Sequence, residues 1–210
     1  MLDYLREPAA IYRQSFETIR READLSALTA DEAAIATRMM HACGMTDLVS
    51  DLVFNGDVAA AVRRAVAVGR PVFTDVEMVR MAVRASAQFE DLTVECLLND
   101  NRVECLAREQ STTRSAAAVS LWQDRLADSV VIIGNAPTAL FALLEMIDGG
   151  AAKPAAVFAF PVGFVGAAES KAELAADPRG IDCVTLLGRR GGSAMAAAAF
   201  NAVLLGVDER

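Results

Sequence analysis

The chain has 210 residues, 54% of them hydrophobic, enough to bury a sizeable core in one domain. Its 28 acidic residues outnumber 20 basic ones, for a formal charge of −8, which argues against a broad nucleic-acid surface. No apolar run reaches bilayer-spanning length and the opening "MLDYLREPAAIY" lacks the apolar core of a signal peptide, so a cytoplasmic protein with no membrane partner is expected.

The first 70 residues read as mainly helical. Thr29 and Glu32 have capping-box spacing and Gly44 is a natural stop, which predicts a helix between them. On a helical wheel Ile35, Ala36, Met39, Met40, Ala42 and Cys43 share a broad apolar side. Thr37, Arg38 and His41 share the other. His41, the only histidine in the chain, falls in the last turn, where the helix dipole favours imidazolium and so suits a proton donor. A second helix is expected from about Asp57 to Val68, closed by Gly69 with Pro71 beyond. Residues 46–56 fit no template.

From Pro71 onward, "PVFTD", "TVECLLND", "SVVIIGN", "AAVFAFPVG" and "CVTLLGRR" each precede a longer amphipathic or alanine-rich segment. Five short apolar runs alternating with helices predict a parallel sheet wrapped by helices, in a single α/β domain over 1–210. The four cysteines, Cys43, Cys96, Cys105 and Cys183, are widely spaced, form no C-x-x-C pair and are expected to be small buried thiols.

Ligands of open parallel sheets bind outside the carboxyl ends of the strands, where loops enter helix N-termini. Three such entries stand out. Asn135 is placed to cap a helix with Pro137 in its first turn, Gly191-Gly192-Ser193 opens another behind Arg189 and Arg190, and Arg114-Ser115 begins a third. Backbone N–H groups and guanidinium groups together suit a ligand with several carboxylates or phosphates. Phosphate-loop, dinucleotide and nucleophile-elbow motifs are absent, and one histidine with scattered cysteines supplies no zinc-type ligand set. Proton-assisted chemistry on an anionic small molecule, with neither cofactor nor bound metal, is the expectation.

The segments "RMMHACGM", "CLLNDNRV", "TTRSAAA", "IGNAPTALFALLEM", "FPVGFVGAAESKAEL" and "GRRGGSAMAAAAFNAV" together resemble the precorrin-8X methylmutases of cobalamin biosynthesis, in order and over nearly the whole chain. The resemblance implies an isomerase that moves a methyl group from C-11 to C-12 of the macrocycle to give hydrogenobyrinic acid. It implies His41 as the acid, and a three-layer α/β/α sandwich with a flavodoxin-like, mainly parallel five-stranded sheet. It also implies a homodimer with sites at the subunit interface, which would give the alanine-rich helices a packing partner. The substrate would be a tetrapyrrole, the corrinoid precorrin-8X, whose carboxylates Arg114, Ser115, Asn135, Arg189, Arg190, Gly192 and Ser193 would hold. Met39, Met40 and Met45 would pack on its ring edges. "IYRQSFETIR" adds Ser15 as a further substrate contact. Asn101 and Phe200 depart from the family pattern, standing where proline and a smaller apolar residue are usual. Two other readings fit the same motifs: a methylmutase of cobalt-precorrin-8, and a non-catalytic corrinoid carrier. Hand-over of product to the next enzyme is chemically sensible, although no segment marks a surface for it.

Overall fold

A computed structural model describes residues 2–84 and 92–206. Helices α1 (Pro8–Glu22) and α2 (Ala30–Cys43) lead through a 3-10 turn at Asp47–Asp51 into strand β1 (Leu52–Asn55) and helix α3 (Val58–Ala67). The alternating core follows, as β2 (Val72–Thr74), α4 (Glu77–Ala82), β3 (Val94–Cys96), α5 (Val103–Glu109), α6 (Arg114–Ser120), β4 (Val130–Ile133), α7 (Pro137–Asp148), β5 (Ala156–Ala159), α8 (Ala167–Ala176), β6 (Asp182–Leu186) and α9 (Ser193–Leu205).

The five expected strands form one sheet, all parallel, in the order β6-β5-β4-β2-β3. A sixth joins them: β1 runs antiparallel to β6, pairing Leu52 with Leu186 and Asn55 with Cys183. Because successive residues of a strand face opposite ways, each strand feeds two cores. Val130, Ile132 and Phe158 point to the side covered by α1, α2, α3 and α9. Val131, Ile133 and Val157 point to the side of α7 and Trp122. The result is a three-layer α/β/α sandwich.

Helix α2 begins and ends as its sequence dictates. Thr29 Oγ1 accepts from the Glu32 N–H, Glu32 accepts from the Thr29 N–H, and Gly44 closes the helix at φ +71°. Its wheel needs correction, since Thr37 is buried and Ala42 exposed. The polar side is covered because α1 packs on it: the Arg38 guanidinium lies 5.6 Å from the Phe16 ring centroid and donates to the Gly206 carbonyl. Met39 and Met40 are both core residues; Met39 is fully enclosed, whereas Met40 shows an edge to the hollow beside His41.

Alanine-rich α9 needs no second subunit to bury it. Its Ala196, Ala199 and Phe200 are fully enclosed within the protomer, and Phe200 meets Phe158 of β5 edge-on at 5.7 Å. Among the cysteines only Cys183 is buried; Cys43 and Cys96 are half-buried and Cys105 is exposed on α5.

Candidate active site

His41 sits where the last turn of α2 meets α1. Tyr12, Ser15 and Phe16 of α1, spaced i, i+3 and i+4, present one face to its ring. The Tyr12 and Phe16 centroids lie 5.2 and 5.1 Å from the imidazole centroid, and Ser15 Oγ is 2.8 Å from Nδ1. If the hydroxyl donates to Nδ1, the proton of neutral His41 is on Nε2; in imidazolium, Nδ1–H donates to the hydroxyl instead. His41 and Ser15 border a hollow of about 510 Å³ between α1 and α2, with Leu5, Gln14, Thr18 and Thr46 around it. Helix-end position does not dominate the charge here. Burial, and after it the nearby Arg38, hold the His41 pKa below its ordinary value, so its imidazolium is a readier donor but less populated at neutral pH.

A second hollow of about 310 Å³ adjoins this one through residues 44–46, and is lined by Met45, Val162, Phe164, Arg189, Arg190 and Met195. The two arginines differ. Arg189 is exposed, its guanidinium 5.3 Å from the Phe164 ring centroid. Arg190 is braced: one terminal nitrogen bonds both carboxylate oxygens of Asp47 at 2.9 and 2.8 Å, the other bonds Asp51 at 2.6 Å, and Lys171 Nζ donates to its carbonyl. Two aspartates already satisfy this guanidinium, so Arg190 ties the Asp47–Asp51 turn to the 188–192 loop. Lys171 is fully enclosed, and burial followed by the Arg190 charge pushes its pKa down to about 8.

The loop after β4 departs from the sequence reading. Ala136, not Asn135, is the N-cap of α7, with Pro137 in the first turn as expected. Its N–H groups are not free: the buried Asp75 carboxylate accepts from Gly134, Asn135 and Ala136 at 2.9, 2.9 and 2.7 Å. Burial raises the Asp75 pKa against the opposing pull of those donors. The Gly192 N–H is likewise taken, by the Phe160 carbonyl at 2.9 Å. Neither backbone group can anchor a ligand; the Asn135 side chain remains exposed and Ser193 is nearly buried at the start of α9.

Arg114 and Ser115 do open a helix, capped by Thr113. They lie at the other end of the row of strands, where Arg114 donates to Leu98 O and Asn99 Oδ1 at 3.0 and 2.9 Å in the loop after β3. The start of their helix also meets the turn after β4, where Thr113 Oγ1 lies 2.8 Å from Thr138 Oγ1, two strand spacings, about 10 Å, from β6. The structure thus gathers Ser15, His41, Met45, Arg189 and Arg190, and sets Arg114, with its guanidinium held by the loop after β3, on the other side of the Asn135 turn. Sequence reasoning missed Tyr12 and Phe16 as the walls of the histidine and the Asp47–Asp51 brace, and it placed Asp75 in a loop at the ligand end of the sheet without its role as acceptor for the 134–136 turn. The signal for Asp75 was present as an acidic residue ending a buried apolar strand.

This is the frame of a doubly wound α/β enzyme, with a titratable imidazole and a guanidinium beside adjoining hollows at one end of its sheet. A family model described as precorrin-8X methylmutase matches residues 10–205, and the chain belongs to that family of isomerases. The precorrin-8X methylmutase of Pseudomonas aeruginosa is 55% identical over 203 residues, covering 97% of this chain and 98% of that one. A cobalt-precorrin-8 methylmutase of Priestia megaterium is 33% identical, covering 96% and 89%. A crystal structure of the precorrin-8X methylmutase of Thermus thermophilus superposes with a TM-score of 0.82 at 32% identity, covering 95% of this chain and 96% of that one.

Proposed function

We propose that the protein moves a methyl group from C-11 to C-12 of metal-free precorrin-8X, giving hydrogenobyrinic acid, with His41 as the acid. The observation that carries this reading is the Ser15–His41 pair at the edge of the hollow between α1 and α2, with the imidazole flanked by the Tyr12 and Phe16 rings. The migration is intramolecular and needs no methyl donor. His41 donates a proton to the macrocycle beside the migrating centre, Ser15 fixes the ring through Nδ1, and Tyr12 and Phe16 keep bulk water from one side of it. A properly placed acid contributes about 10²–10⁴-fold. Arg189, Asn135, Ser193 and Met45 hold carboxylates and ring edge from the neighbouring loops, and Arg190 and Gly192 act by shaping those loops.

A homodimer is part of the proposal. The macrocycle and its side chains exceed a 510 Å³ hollow, and Arg114 with Ser115 stands across the sheet from His41, so a second copy is what would close the site. Work in the cytoplasm, with hand-over of product to the enzyme that uses it, completes the reading; among the described residues no helix is long and apolar enough to cross a membrane.

The preference for the metal-free ring is supported by the 55% identity to the Pseudomonas aeruginosa precorrin-8X enzyme against 33% to the cobalt-precorrin-8 enzyme. It is tested by turning over both substrates side by side under anaerobic conditions. Faster conversion of precorrin-8X is expected; equal rates, or faster conversion of the cobalt ring, would overturn the preference.

A further inference from the structure

The direction of the sheet's connections reverses between β2 and β4, and in doubly wound proteins the crevice at that point receives the ligand, often an anion on the following helix N-terminus. Here the crevice is filled from within. Asp75, the residue after β2, is 2% exposed, and its carboxylate takes the three N–H groups that would otherwise face an anion.

The hydrogen bonds continue outward from it. The Asn135 carbonyl accepts from the Val162 N–H, and the Gly163 N–H donates to the Arg189 carbonyl, both at 3.3 Å. Val162, Gly163 and Arg189 form one wall of the 310 Å³ hollow. The loops along this chain have little slack. A Cβ on Gly134 would sit 2.6 Å from Val79 Cγ2 and 2.9 Å from Ser193 Cα, and one on Gly191 would sit 2.3 Å from the Phe160 carbonyl oxygen. A shift of the 134–136 turn is therefore passed on to the loops after β5 and β6.

We infer that Asp75 is a positioning residue: its carboxylate stands in for a ligand anion at the switch point and, through Asn135, Val162 and Gly163, sets the wall that carries Arg189. Asp75 touches no substrate. The crevice being closed, substrate is displaced along the sheet toward α1 and α2, where His41 lies. The inference rests on the corrinoid reading above only for the identity of the molecule that the wall meets.

Asp75→Ala leaves a space of carboxylate size lined by three N–H donors, which formate fits. Titrating the parent and this variant with hydrogenobyrinic acid by visible absorbance should give a Kd about tenfold higher in the variant. Formate should restore its affinity in a saturable manner, with sodium chloride at equal ionic strength having no such effect and the parent responding to neither. A Kd within about twofold of the parent, or a loss that formate does not reverse beyond chloride, would overturn the inference. Should the alanine variant fail to fold, Asp75→Asn keeps the volume but sets an amide N–H against the turn's donors. Weaker binding with an unchanged far-ultraviolet spectrum then supports the role, and parent-like binding refutes it. A parent that neither binds nor converts corrinoid refutes the functional reading instead. Backbone amide shifts then decide for Asp75: formate should move Val162 and Gly163 as well as 134–136 in Asp75→Ala, and shifts confined to 134–136 would sink it.

Discussion

At the scale of single residues, the chemistry comes down to one imidazole and what surrounds it. Burial and the Arg38 charge act in the same direction on His41, disfavouring the protonated form. With protonated His41 as the proposed acid, kcat/KM should be flat at low pH and fall as pH rises through an apparent pKa below about 6.5, the ordinary histidine value. A pH–rate profile of the free enzyme checks this, and activity that rises through neutrality would contradict it. The histidine was legible in the sequence because it is unique and sits in a helix whose two ends are both marked. Its lowered pKa was not, because the packing of α1 over the polar side of α2 is a tertiary fact. The same limit hid the state of Arg190, whose aspartate partners lie 139 and 143 positions away in the chain.

Among the elements, the legible ones carried strong local signals. Strands β2, β4, β5 and β6 are largely buried apolar runs, half-buried β3 shares with them a helical pattern behind it, and α2 and α3 have caps that can be read residue by residue. Strand β1 had no such signal: its apolar run, Leu-Val-Phe, is three residues long and follows a helical stretch without a clear break, and the pairing partner β6 lies far along the chain. The N-cap of α7 falls one residue later than the sequence suggests, at Ala136, because Asp75, from the end of β2, takes the N–H groups of residues 134–136 and holds the turn that leads into the helix. Helix α9 shows how a family departure is absorbed. Phe200 is fully enclosed and edge-on to Phe158, so its larger ring fills core volume rather than reaching the site. Phe200→Ala should cost about 3–5 kcal/mol of stability, read from the denaturant midpoint, with KM unchanged in the folded fraction. A cost below about 1 kcal/mol would show that α9 and the sheet close over the gap.

For the whole molecule, the antiparallel β1 covers the β6 edge of the parallel sheet, and helices cover both faces. With the proposed site near the β6 end and the switch point shut by Asp75, Arg114 stays bound to the loop after β3, and the proposed dimer is the assembly that would bring a second copy to the site. Sedimentation equilibrium at micromolar concentration should return twice the protomer mass, whereas a protomer mass there would contradict a shared site. The central claim, that this fold holds one acid against a corrinoid ring, is tested most directly by anaerobic incubation of the parent and His41→Ala with metal-free precorrin-8X. The visible spectrum follows the reaction and NMR identifies the product. Conversion to hydrogenobyrinic acid by the parent, with the variant folded, still binding and slower by about 10²-fold or more, is the predicted result. Equal conversion by both would remove His41 from the mechanism, and binding without conversion by either would make the protein a corrinoid carrier.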